Sequence, residues 1–159
     1  QGSLGQAQSW AELELSGAGI YKTKTEIVRA LADYQYSRSL EIADNFLQKA
    51  KSLAELWVKK QENTSKSDIN RRALKTIFRI ITLVFNDTAK FPFTEPEKLV
   101  NFDQLAKIKK LSAKFDPEQA AQKVTDCCEN VYWLDSNANE KLVFEQLLLN
   151  LPDSDTIKV

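Results

Sequence analysis

The chain has 159 residues, 43% of them hydrophobic and 28% charged, which suffices for one domain with a core and is an ordinary soluble composition. Lys and Arg total 22 and so do Asp and Glu, so the net charge is zero and nucleic-acid binding is disfavoured as the main activity. The absence of His excludes His-based catalysis and His metal ligands, and no apolar run approaches the ~18 residues of a membrane span.

Only four Gly and four Pro interrupt the chain, which favours long helices. Leu4, Ala7, Ala11 and Leu15 stand at helical spacing and predict a first helix over Leu4 to Leu15. Ser3 is its expected cap and Ser16-Gly17-Ala18-Gly19 its stop. A second helix is expected from about Thr23 to Tyr34, carrying Ile27, Leu31 and Tyr34. A long one follows from about Ser39 to Lys60, with Leu40, Ala43, Leu47, Ala50, Ala54 and Trp57 on one face, widened by Phe46 and Leu53. Gln61 to Lys66 is polar and reads as a loop.

The next helix, about Asp68 to Asn86, has two apolar rows: Ala73, Ile77, Ile80, Val84 and Leu74, Phe78, Ile81, Phe85. A helix apolar over so much of its surface belongs at the centre of a bundle. Ala89 to Val100 holds two Pro and two Phe and reads as an ordered loop. A helix from about Phe102 to Ala113 follows, with Leu105, Ile108 and Leu111 inward and Asn101 and Gln104 as cap and capping partner. Asp116-Pro117-Glu118-Gln119 is the clearest start signal: Asp116 caps, Pro117 takes the first helical position, and Gln119 reaches back. The helix it opens carries Ala120, Val124, Cys127, Val131 and Leu134. The last helix is capped by Asn137 with Glu140 three residues on, and Phe144, Leu147, Leu148 and Leu151 form its stripe until Pro152 stops it. No strand alternation stands out, so the fold class is all-α, a compact bundle of about six or seven helices.

Chemistry-bearing residues are each weighed against a packing role. Asp33, Asp68, Asp103 and Asp116 stand near helix ends, where a carboxylate stabilises the helix without any catalytic duty. Cys127 and Cys128 are adjacent, lack zinc-site spacing, have no His to activate them, and fit a reducing cytosol as small core residues. No phosphate-binding Gly-rich loop is present. Arg71, Lys75 and Arg79 recur every four residues with Arg72 beside them, a stripe that can follow a phosphate backbone. A solvated helix face, or ion pairs with neighbours, is the preferred role for it. Trp10, Trp57 and Trp133 fall by apolar stripes and read as packing, whereas Phe91 and Phe93 flank Pro92 and are candidates for a partner contact or for folding back on the core. No catalytic residue, metal ligand, cofactor or small-molecule substrate emerges, and the residues alone stop at an all-helical interaction module.

A resemblance extends this reading. The run from Asn137-Ala138-Asn139 through Leu142, Glu145, Leu147 and Leu148 resembles the "N-x-N-x-x-L-x-x-E-x-L-L" end of bacterial DNA polymerase III clamp-loader subunits. Asn101-Phe102-Asp103 resembles the "N-x-D" start of the third helix from the end in that family, with Asp116 to Leu134 as the next. Phe78 to Asp87 resembles a helix ending in "R-D-L-L", from which this chain departs with Asn86-Asp87 in place of Arg-Asp. Gln1-Gly2-Ser3-Leu4-Gly5-Gln6-Ala7 looks like the "G-S-x-G-x-A" run of the delta-prime type, where the ATP-hydrolysing gamma/tau type has an Arg at the place of Gly5.

The resemblance implies a fragment of a bacterial cytoplasmic protein: residues 1–19 the end of an AAA+ lid, 20–151 a helical collar domain and 152–159 a polar tail. The opening Gln1-Gly2-Ser3, with no Met in the chain, is what a piece of a longer protein or a processed end would show. It implies no ATPase activity, no cofactor, and partners among the gamma/tau and delta subunits, with DNA contact only indirect or weak. Leu142, Phe144, Leu147, Leu148, Leu149 and Leu151 are the candidate subunit-interface residues, and part of their surface is expected to stay uncovered in the isolated chain. An unrelated all-helical scaffold or adaptor remains the alternative.

Overall fold

A computed structural model describes residues 19–59 and 65–151. The expected first helix over Leu4 to Leu15, with Ser3, Gly5 and Trp10, lies outside the described residues, as do part of the loop from Gln61, Pro152 and the polar tail. Among the described residues there are six α-helices and no strand: α1 Ile20–Ala32, α2 Ser39–Val58, α3 Lys66–Lys90, α4 Leu105–Ser112, α5 Pro117–Asp135 and α6 Glu140–Leu149. The all-α bundle is therefore the architecture.

Three of these helices, α3, α5 and α6, start at a side-chain cap. Asp116 accepts from the Gln119 backbone N–H at 2.8 Å while the Gln119 side chain accepts from the Asp116 N–H at 2.9 Å, a complete capping box ahead of Pro117. The α3 start lies before Asp68, because the Ser65 hydroxyl accepts from the Asp68 N–H at 3.1 Å and caps a helix from Lys66. Helix α1 begins three residues before Thr23, where Gly19 at φ +60° turns the chain into Ile20.

Two loop expectations change. Helix α3 runs on to Lys90, and the following segment is two short 3-10 turns, Phe91–Phe93 and Pro96–Lys98. Asn101 does not cap with its side chain: residues Phe102–Gln104 form a 3-10 turn and α4 starts at Leu105.

Helix α3 is central, touching α1, α2, α4 and α5. Both of its apolar rows are buried in full. Phe78 stacks on Phe144 of α6 at 4.6 Å, and Phe46 of α2 meets the same ring edge-on at 6.4 Å, so one aromatic cluster joins α2, α3 and α6. Truncating such a buried Phe to Ala costs about 3–5 kcal/mol. A second pair, Phe85 and Phe115 at 5.5 Å, closes the end of the bundle near α4. Leu40, placed on the α2 core face by spacing, is exposed instead, one turn before the buried stripe begins at Ile42 and Ala43.

Candidate functional site

Helix α6 carries the residues expected at a subunit interface. Its cap is Asn139, whose Oδ1 accepts from the Lys141 N–H at 3.0 Å and the Leu142 N–H at 3.3 Å. Asn137, the expected cap, takes φ +61° instead and turns the chain between α5 and α6. Asn tolerates this left-handed conformation better than other side-chain-bearing residues. Its Oδ1 accepts from Arg71 Nη2 at 2.7 Å, which pins the turn to α3.

The far end of α6 is held by two groups that satisfy its terminal carbonyls. The buried Lys123 ammonium donates to the Asn150 carbonyl at 2.9 Å, placing a cation at the negative end of the helix. The Tyr34 hydroxyl donates to the Leu148 carbonyl at 2.6 Å. Neither contact is visible in the local sequence, since Lys123 and Tyr34 come from α5 and the α1–α2 connection.

With both ends fixed, the helix has a single inward face. Phe144, Leu147, Leu148 and Leu151 are all buried in this chain's own core, together with Val143. Leu142 is 61% exposed and Leu149 38% exposed. The two are seven residues apart, so they share one outward face about two turns long. The candidate set thus divides into four residues that hold the bundle and two that offer apolar surface to solvent.

The basic stripe on α3 is engaged within the chain. Arg71 donates to Asn137, Lys75 pairs with Asp135 at 2.7 Å, and the Arg72 guanidinium lies 5.5 Å from the Trp57 ring centre. Arg79 is exposed on the same helix. These contacts tie α3 to α2 and to the α5–α6 turn.

The carboxylates are structural fasteners. Asp87, buried in α3, accepts from the Asn101 backbone N–H and from Asn101 Nδ2, each at 2.7 Å, and from the Val100 N–H at 3.2 Å. Asp103 accepts from Lys24 Nζ at 2.9 Å and Tyr21 OH at 3.0 Å, joining α1 to the Phe102–Gln104 turn. Partial burial pushes the Asp103 carboxyl up, but the hydrogen bonds from Lys24 and Tyr21 outweigh it and hold the group below its usual range. Asp33 closes α1 and takes Lys110 at 2.7 Å and Lys107 at 3.4 Å; the Lys110 hydrogen bond, against a smaller burial penalty, lowers its pKa. Lys114 donates to the Ala32 carbonyl at 2.9 Å, so α4 and the turn after it supply cations to the α1 C-terminus.

The remaining candidates separate by exposure. Cys127 is buried and its thiol is pushed up to about 12, mainly by burial, whereas Cys128 is exposed and is not the core residue expected. Trp57 is buried, but Trp133 is exposed and pairs edge-on with Tyr132 at 5.8 Å. Phe91 packs on the core while Phe93 is exposed. Among the described residues no group of His, Cys, Asp or Glu could hold a metal ion, and no helix is long and apolar enough to cross a membrane.

These features describe a helical domain in which Arg71, Lys75, Asp87, Asp103 and Lys123 bond between its segments. No curated protein and no solved structure matches the chain. The family model for the C-terminal part of the delta subunit of DNA polymerase III matches residues 45–153, a span from α2 past the end of α6. With well over half of its length matched, the chain belongs to the family of C-terminal domains found in DNA polymerase III delta subunits.

Proposed function

We propose that the chain is the non-catalytic collar domain of a bacterial clamp-loader subunit of the delta-prime type. It would help assemble the five-membered complex that loads the sliding clamp onto primed DNA in the cytoplasm. The family membership supports a clamp-loader role. The observation that carries the assembly reading is the Leu142–Leu149 face: a helix whose inward stripe is satisfied still presents two leucines outward. The delta-prime assignment draws on Gly5, which stands where the gamma/tau type has its Arg.

In this reading the domain fixes geometry. The extensive burial of α3 and the polar fasteners at Asp87, Asp103 and Lys123 give a stiff hub around which the ATPase modules of other subunits can move. Partners are the gamma/tau and delta subunits; DNA is contacted weakly or only through them. The test is reconstitution of the chain with purified gamma/tau and delta subunits, read by size-exclusion chromatography with light scattering. A stable complex at micromolar concentration is expected. Separate elution of all components at that concentration overturns the assembly reading.

A further inference from the structure

The outward face of α5 has features that packing within the chain does not use. Ala121, Thr125, Cys128 and Tyr132 follow i, i+4, i+7, i+11 spacing and are all exposed, forming one uncharged stripe along the helix. At its end Tyr132 is 66% exposed and Trp133 48% exposed, their rings set edge to face. A fully covered aromatic side chain buries about 150–250 Å², of which these two rings still have roughly half or more to give. Tyr and Trp are the residues that most often anchor interfaces.

The exposed charge that α5 itself carries has one sign. The exposed charged residues of α5 are Glu118, Glu129 and Asp135, all carboxylates, and the only cation of the helix, Lys123, is buried under the α6 end. Asp135 is engaged by Lys75 at 2.7 Å, which leaves Glu118 and Glu129 as the carboxylates beside the stripe. A face of this kind repels phosphate backbones and attracts cations. Exposed aromatic rings also accept Arg or Lys over their faces.

We infer that the outward face of α5 docks a helix of a neighbouring subunit that presents Arg or Lys beside apolar side chains. The inference rests on the assembly reading above and adds to it the face and the chemistry of the partner. The apolar stripe and the aromatic pair provide the desolvated centre of the contact. Glu118 and Glu129 form its rim and steer association.

The native thiol of Cys128 lies in the stripe and reports on it without any substitution. Its alkylation by a neutral maleimide is followed in the chain alone and in the complex reconstituted with purified gamma/tau and delta subunits. Cys127 stays silent because it is buried and its thiol is pushed up to about 12. The expected result is rapid modification of Cys128 in the free chain and a rate at least about tenfold lower in the complex. E129K and Y132A, both at exposed positions, should each weaken assembly about tenfold or more with unchanged circular dichroism, E129K most strongly at low salt. A complex in which Cys128 reacts at the free rate and both variants assemble normally overturns the inference and leaves the assembly reading standing. Absence of any complex overturns both. Protection of Cys128 in the chain alone, with a doubled mass, shows a second copy on this face and overturns the assignment to a basic neighbour.

Discussion

Asp87 and Asn101, 14 residues apart, meet in the core through two hydrogen bonds of 2.7 Å, one from the Asn101 backbone N–H and one from its side-chain amide. The contact joins two of the segments that resemble clamp-loader subunits, the end of α3 and the Asn101-Phe102-Asp103 run. It anchors the segment between them, two short 3-10 turns with a Pro in each, since a buried carboxylate holds its far end.

Replacing Asp87 should therefore unfasten that loop. Asp87→Ala leaves the buried Asn101 N–H and amide without an acceptor, at a cost of about 2–3 kcal/mol. For a domain of this size the expected fall in Tm is about 5–10 °C. Thermal denaturation followed by circular dichroism checks it; a change under about 2 °C, as for an exposed surface substitution, would sink the assignment.

The two asparagines before α6 should respond differently. Asn139→Ala removes the acceptor for the Lys141 and Leu142 N–H groups and is expected to cost about 1 kcal/mol. Asn137→Gly loses the Arg71 contact but keeps a residue at ease with φ +61°, so it should cost less than Asn137→Val, which is strained there. Urea midpoints rank the three. Equal values for the Gly and Val variants would contradict the left-handed turn.

Acid should weaken the fold through its depressed carboxyls. Glu26, bonded by Lys49, Asp33, bonded by Lys110, and Asp103, bonded by Lys24 and Tyr21, all sit below their ordinary pKa. A carboxyl lowered on folding contributes stability that is complete above its unfolded pKa and is lost as pH falls through its folded one. Stability should be flat from about pH 6 to 8, where a chain without His has little to titrate, and should decline below about pH 4.5. Partial solvent exposure and salt soften the effect. Asp103→Asn should make the decline shallower in a series of urea melts; an unchanged slope would rule Asp103 out as a contributor.

Thiol chemistry should separate the adjacent cysteines. A disulfide reagent at neutral pH is expected to react with Cys128 quickly and with Cys127 only after denaturation. Two fast equivalents in the native chain would contradict the burial of Cys127.

Much of the bundle is legible in the sequence because helix periodicity is a local signal. The two apolar rows of α3, the capping box at Asp116 and the inward stripe of α6 all appear as spaced residues, and the structure buries or bonds them as spacing implies. The misses share a cause. Asn137 and Asn139 are equally good caps by composition, and only the turn between α5 and α6 decides that Asn139 accepts the helix N–H groups. Asp87, Lys123 and Tyr34 take partners 13 to 114 residues away, so their roles depend on the tertiary fold. Cys128 and Trp133 lie next to core positions in sequence and on the opposite face in space. The candidate interface was legible only in part: the leucines of α6 were visible, but their division into core and surface required knowing which face meets Phe78 and Phe46.

In the proposed assembly, Leu142 and Leu149 serve contact with a neighbour and contribute little to folding, since both are exposed in the chain. The double substitution L142S/L149S, reconstituted with purified gamma/tau and delta subunits, separates the two roles. The predicted result is a thermal midpoint within about 3 °C of the unsubstituted chain, as for exposed sites, with association weakened at least about tenfold. Association at full strength, or a folded state lost along with association, would contradict a role for these leucines in assembly.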